Sequence, residues 1–224
     1  MSERGFAKRP PSVKDAEEND QVQRQQMVER QLAVRGITDP KVLSAFLKVP
    51  RQRFVPDSFK DQTYEDHPIG IGYDQTISQP YIVAFMLESL DLQKGDRVLE
   101  IGTGTGYQTA ILAELVSQVY SIEIVPELYR TASERLTTLG YSNIHLKCGN
   151  GRSGWPEQSP FDKIILSAAT EEIPEALIRQ VRENGLLTAP LGRLEQSLVL
   201  GKKVNGILTL KHLVPVRFVP LANH

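Results

Sequence analysis

The run Val98-Leu99-Glu100-Ile101-Gly102-Thr103-Gly104-Thr105-Gly106-Tyr107 constrains the fold more than any other stretch of this chain. An apolar, strand-like segment from Arg97 to Ile101 opens directly into alternating glycines, and a helix-like segment from Gln108 to Leu115 follows. Glycines let the backbone turn tightly there and leave it bare for close approach of a ligand. The spacing is not that of a dinucleotide fingerprint, Gly-x-Gly-x-x-Gly. Gly106 comes one position early, and Tyr107 stands where the third glycine belongs. Glu100, just ahead of the glycines, is also foreign to that fingerprint.

The pattern around this loop is regular. Helices are predicted at Tyr81 to Leu90, Pro126 to Leu139 (stopped by Gly140) and Pro174 to Arg182. Strands are predicted at Val119 to Ile124, Ile144 to Lys147, Lys163 to Ser167 and Leu186 to Pro190. Apolar strands alternating with helices imply an α/β fold whose mostly parallel sheet is covered on both faces. The end of the chain differs. Ser197 to Val204 and Ile207 to Val214 flank Asn205-Gly206, a strong hairpin signal, so the sheet should finish in an antiparallel hairpin.

Upstream, Met27 to Arg35 reads as a short helix closed by Gly36. Asp39-Pro40 reads as an N-cap and first-turn proline, opening a helix whose apolar face is Val42, Ala45, Phe46 and Val49 until Pro50 ends it. Residues 51 to 80 are loop-rich, and so long a loop in a compact domain is usually functional. Residues 1–24 are polar and charged, and are expected to be a disordered leader because they can bury too little surface. Residues 25–224 form one domain, with helices and a site-covering loop over 25–80 and the Rossmann-like core over 81–224.

Composition narrows the function. Lys+Arg 26 against Asp+Glu 27 leaves no global positive field to recruit nucleic acid. Cys148 is the single cysteine and is expected to be a small buried residue; the four histidines lack metal-ligand spacing, so no metal is expected. No stretch approaches the roughly 20 apolar residues of a membrane span, and the polar start lacks a signal peptide's apolar segment. A soluble cytoplasmic protein, acting as a monomer without nucleic acid or membrane, is the expectation. Trp155 is read as a packing anchor.

Glu-x-Gly-x-Gly-x-Gly resembles the first motif of Rossmann-like methyltransferases that bind S-adenosylmethionine. That ligand has no phosphate, so a carboxylate near its ammonium group attracts it. Glu123, ending the next strand, is placed to accept from both ribose hydroxyls. The flanks narrow the resemblance. Val49-Pro50-Arg51 with Arg53-Phe54-Val55-Pro56, Gln75-Thr76-Ile77-Ser78-Gln79-Pro80, Gly104-Thr105-Gly106-Tyr107-Gln108-Thr109-Ala110 and Val216-Arg217-Phe218-Val219-Pro220-Leu221 are similar to the protein-L-isoaspartate O-methyltransferases. The resemblance runs from about residue 25 to the end.

The resemblance implies an S-adenosylmethionine-dependent enzyme that leaves S-adenosyl-L-homocysteine and methylates isoaspartyl proteins and peptides. It implies Ser78 as the catalytic residue, although its position before Pro80 equally suits a helix cap. It implies cofactor contacts from Thr76, Ile77, Glu100, Gly102, Thr103, Gly104, Glu123, Asn150 and Gly151, and substrate contacts from Ser78, Ala168, Ala169 and Val219. Two positions depart from the family: Asn150 replaces its usual Asp, and Asp74 its usual Gly, a site where Asp tolerates left-handed backbone. A small-molecule methyltransferase would need inserted lid helices, and none follow the fourth strand. A cofactor-sensing module without chemistry would be expected to lack the glycine loop.

Overall fold

The computed structural model describes residues 13–222. Its centre is a seven-stranded sheet built from β3 (Arg97–Ile101), β4 (Gln118–Glu123), β5 (Ile144–Cys148), β6 (Phe161–Leu166), β7 (Val181–Leu191), β8 (Gln196–Val204) and β9 (Ile207–Val216). The strand order is β5-β4-β3-β6-β7-β8-β9. β5 through β7 pair in parallel, and β8 and β9 add antiparallel. β3, β4 and β5 step outward one way, and β6 and β7 the other. The order reverses between β3 and β6, which opens a crevice beyond their carboxyl ends where α/β sheets bind ligands.

Side-chain alternation explains why this sheet is buried twice. Val98, Val119 and Ile165 pack into a core shared with the helices α2 (Pro40–Lys48), α3 (Pro80–Ser89) and α4 (Tyr107–Leu115). Leu99, Ile101, Ile122, Ile164 and Leu166 pack into a second core on the opposite face, with Leu177 of α6 (Glu175–Gln180). The helix α5 (Pro126–Thr138) buries Leu128, Ala132 and Leu136, and Leu136 joins the first core. Asp39 caps α2 as expected, its side chain accepting from Lys41 N at 2.8 Å, and Gly36 ends the preceding turn at φ 96°. Asn205 and Gly206, at φ 53° and 79°, form the β8–β9 turn.

Four expectations are corrected. Residues 1–12 lie outside the described residues, but 13–24 belong to a helix, α1 (Val13–Met27), and not to a disordered leader. No Gly or Pro interrupts 13–35, and buried Met27, Val28 and Leu32 anchor the helix at its C-terminal end, so a polar stretch continues from a packed turn. The loop over 51–80 contains an antiparallel hairpin, β1 (Ile69–Gly72) and β2 (Gln75–Ile77). Tyr73 and Asp74 form its turn at φ 54° and 55°, the left-handed pair a tight hairpin requires without any Asn-Gly signal.

The helix expected to reach Arg182 ends at Gln180. Gln180 is held by Trp155 N and Ser153 O at 2.7 and 2.8 Å, and β7 starts at once beside Phe161. Cys148 is exposed, because β5 is the edge of the sheet and Cys148 ends it. Trp155 is half-buried, edge-on to Tyr120 at 5.7 Å, in the packing role expected.

Candidate active site

The crevice between β3 and β6 deepens into a cleft of about 830 Å³, counting the part open to solvent. Its floor is the glycine loop, with Gly102 and Gly104 at φ 97° and 56°. Its walls include Ile101, Ile122, Ile124 and Leu221, and β2 with Ser78 covers one side. Thr76, Ile77, Ser78, Gly102, Thr103, Gly104, Glu123, Gly151, Ala168 and Val219 all line it, although they come from distant parts of the chain.

Glu123 sits at the end of β4 and is 5% exposed. Its Oε2 accepts from Gly104 N at 2.7 Å and its Oε1 from Val125 N at 2.9 Å. The carboxylate therefore pins the glycine loop and keeps lone pairs for further donors, as vicinal hydroxyls would require. At Gly151 a Cβ would stand 2.3 Å from Ile101 Cγ2, so only glycine lets this turn close over the floor.

Three expected site residues do not line the cleft. Glu100 points to the opposite face of β3 from Leu99 and Ile101 and is fully buried under α4. Its oxygens accept from Gln108 Nε2 (2.9 Å), Thr109 Oγ1 (2.5 Å) and Ser121 Oγ (2.6 Å). Burial pushes its pKa up from 4.5 to about 7, against the pull of those hydrogen bonds, with Glu123 adding to the rise. From behind the floor Glu100 holds Ser121, which bonds Thr103 at 2.6 Å, and Gln108, which also reaches Ser167 Oγ at 2.8 Å. It braces the glycine loop without facing the cleft.

Asn150 is the second. Its Oδ1 accepts from Arg152 N at 2.9 Å and caps the short turn Gly151–Ser153, so its neighbour Gly151 faces the cleft instead. Ala169 is the third. Its N–H donates to Val219 O at 2.8 Å and its carbonyl accepts from Leu221 N at 2.7 Å, stapling the C-terminal segment onto the end of β6.

Ser78 is not a helix cap. Gln79 occupies the N-cap of α3 and makes no side-chain cap bond. Among the described residues the Ser78 hydroxyl has no hydrogen-bond partner, while its carbonyl accepts from Arg51 Nη2 at 3.0 Å. The sequence gives Arg51, Gln108 and Leu221 no role in the site, whereas Ser167, which the resemblance places with Ala168 and Ala169 in the floor of the peptide site, does line the cleft. The signal for Arg51 was present: an arginine stands between Pro50 and the buried pair Phe54 and Val55. Among the described residues no cluster of His, Cys, Asp and Glu could hold a metal ion, and no helix is long and apolar enough to cross a membrane.

Comparison with known proteins agrees with this architecture. The family model for protein-L-isoaspartate(D-aspartate) O-methyltransferase matches residues 22–224. A protein-L-isoaspartate O-methyltransferase of Picosynechococcus sp. is 50% identical over 201 residues, covering 90% of each chain. Among solved structures, one protein-L-isoaspartate O-methyltransferase superposes with a TM-score of 0.82 at 32% identity, over 89% of this chain and 66% of its own. A Plasmodium falciparum chain assigned to the same activity, solved in complex with S-adenosyl-L-homocysteine, superposes at 0.79 and 28% identity over 90% of this chain and 99% of its own. A glycine loop at the sheet's switch point, a serine free of capping duty above it and a family match from residue 22 to the end agree: this chain belongs to the protein-L-isoaspartate(D-aspartate) O-methyltransferase family.

Proposed function

We propose that Ser78 orients the acceptor carboxylate in this cleft, above a cofactor floor formed by Gly102, Thr103, Gly104 and Glu123. The enzyme methylates the free α-carboxylate of L-isoaspartyl residues in damaged proteins and peptides. When bound, S-adenosylmethionine supplies a methyl group on a cationic sulfur and departs as S-adenosyl-L-homocysteine. Gly102 and Gly104 give the cofactor bare backbone, Glu123 accepts from its ribose hydroxyls, and Gly151 keeps the adenine side of the cleft open.

The chemistry needs little acid–base help from the chain. An α-carboxylate is ionised at neutral pH, so no base has to activate it. Among the described residues the one carboxylate lining the cleft, Glu123, is engaged by two backbone amides and is free of that duty. Ser78 donates its hydroxyl hydrogen to one acceptor oxygen and leaves the other to attack. No proton has to move in the step. Ile77, Val219 and Leu221 exclude water, and alignment in such a site can contribute about 7 kcal/mol or more to lowering the barrier. The ester then closes to a succinimide without the enzyme, and hydrolysis returns part of it to aspartate, which is the repair.

A groove lined by Thr76, Ser78, Gln79, Pro215, Val216 and Phe218 runs off the cleft. An extended peptide has room there, and this opening favours a protein substrate over a small molecule. The proposal includes a monomeric enzyme working in the cytoplasm on soluble damaged proteins.

The observation that carries the assignment is the Ser78 hydroxyl, free of any capping duty and lining the cleft that the glycine loop floors. An isoaspartyl peptide assayed beside its aspartyl twin tests it, with methyl ester formed on the former only. Ser78→Ala should lower kcat roughly 10- to 100-fold, the value of a hydrogen bond to a charged group. Affinity for S-adenosyl-L-homocysteine and thermal stability should hold. Normal turnover in Ser78→Ala would remove the serine from the reaction.

A further inference from the structure

Arg51 is the largest side chain fully withdrawn from solvent, with 0% exposure. A buried cation is costly unless an anion accompanies it. Among the described residues Arg51 makes no ion pair. Its Nε donates to Thr63 O at 2.8 Å and its Nη2 to Ser78 O at 3.0 Å. The nearest carboxylate acting on it, Asp66, makes no ion pair with it: its Oδ2 accepts from Arg35 and from Gln79 Nε2, and its Oδ1 is buried without a hydrogen-bond partner. The guanidinium carbon lies 4.7 Å from the ring centroid of Tyr107, the first residue of α4 after the glycine loop.

Three segments therefore meet on one guanidinium: the turn at Thr63, the backbone of Ser78 and the start of α4. The cluster is also incompletely satisfied: Arg51 Nη1 and Tyr107 Oη are buried without a hydrogen bond of normal geometry, and act on each other only as loosely facing groups. Burial pulls the Arg51 pKa down, with Tyr107, Tyr64 and Asp66 opposing it. If packing were the only demand, an apolar side chain of similar length would meet it at lower cost. The retained charge lies directly behind Ser78, on the side of the cleft that must accept an anion. Across the floor stand two carboxyl groups, Glu123 and, behind it, Glu100.

We propose that Arg51 is a positioning residue for the acceptor: it fixes the Ser78 backbone against α4, and its unpaired charge selects an anionic group at Ser78. This inference rests on the placement of the acceptor carboxylate at Ser78. The fork clamps the serine through its carbonyl, and the field behind it offsets the negative charge that Glu123 brings to the cleft. Lysine can supply the charge but not the two directed bonds to Thr63 and Ser78. Methionine can supply the bulk without either.

The test uses the full-length protein, an isoaspartyl peptide and the same peptide with its α-carboxylate replaced by a carboxamide, at fixed ionic strength. With S-adenosyl-L-homocysteine bound, the ratio of the two peptide affinities reports selection for charge. Arg51→Met should reduce the acid-over-amide preference at least about fivefold while cofactor affinity stays within about twofold. Arg51→Lys should keep most of that preference but lower kcat at least about tenfold, because Ser78 is no longer clamped. If Arg51→Met does not fold, Arg51→Gln carries the same expectation. An unchanged acid-over-amide ratio in the folded neutral variant overturns the charge role, and an unchanged kcat in Arg51→Lys overturns the clamp. If the wild-type protein shows no preference for the acid, or Ser78→Ala turns over normally, the placement at Ser78 has failed instead of the inference about Arg51.

Discussion

Replacing Glu100 by glutamine should change how the stability of this protein depends on pH, in a direction opposite to most carboxylates. Burial under α4 holds its folded-state pKa at about 7, above the ordinary 4.5. Below pH 4.5 the group is protonated in both folded and unfolded chains and contributes no difference. Between 4.5 and about 7 the unfolded chain releases the proton and the folded chain keeps it, so stability falls as pH rises. Above about 7 both states are ionised and the loss is complete. At about 1.4 kcal/mol per pH unit, this one side chain withdraws about 3 kcal/mol across that window.

Glutamine cannot ionise, so Glu100→Gln lacks the slope. It carries a separate, pH-independent cost, because one of the donors from Gln108, Thr109 and Ser121 meets an amide instead of a carboxylate oxygen. The difference in unfolding free energy, variant minus wild type, should rise by about 3 kcal/mol from pH 4.5 to pH 7 and then level. Urea unfolding followed by fluorescence of the single tryptophan, Trp155, measures it at several pH values. Parallel pH profiles for the two proteins would refute the argument, and with it the picture of Glu100 as a carboxyl group held partly protonated behind the cofactor loop.

Glu123→Ala should weaken S-adenosyl-L-homocysteine binding by roughly 1–3 kcal/mol, since the ribose loses its acceptor and Gly104 its anchor; calorimetry giving the wild-type affinity would displace the ribose from this position. Asn150 and Asn205 each precede glycine, but Gly206 N donates to Glu183 Oε2 at 3.2 Å, which holds that nitrogen away from succinimide formation. Peptide mapping after mild alkaline ageing should therefore find deamidation at 150 before 205, with cofactor slowing it; the reverse order would overturn the comparison. Asn150→Asp keeps an acceptor for Arg152 N, so its cofactor affinity, read by the same calorimetry, should equal or exceed wild type.

The core of the fold was legible because its signals were local. The strand bounds of β3, the glycine loop and the Asn205-Gly206 turn follow from residues adjacent in sequence. Ten of the contacts that the family resemblance implies line one cleft, because the matching segments fold to its rim. What escaped depended on parity and on distance. Glu100 and Ile101 are neighbours, yet strand alternation sends one beneath α4 and the other into the cleft wall. Asn150 spends its side chain on Arg152 N, a competition with no trace in spacing. The β1–β2 turn uses Tyr73 and Asp74: Asp74 was open to left-handed backbone, but Tyr73 carries no such signal. The helix over 13–24 is mostly polar, and the buried residues that anchor it begin at Met27.

The reversal of strand order between β3 and β6 divides the site into halves of unlike origin. The floor proposed for the cofactor is one continuous piece of chain, with β3, its glycine loop, β4 and the turn at Gly151 following in sequence. The proposed acceptor side is assembled from fragments: Ser78 from before the sheet begins, Ala168 from the end of β6, and Val219 from beyond β9, held by its backbone staple to Ala169 and by packing against the second core. Such fragments are exchangeable parts. Grafting a different 217–221 strap would leave the floor's own hydrogen bonds intact, so part of the proposed acceptor side can be re-engineered while the glycine-loop floor is inherited unchanged.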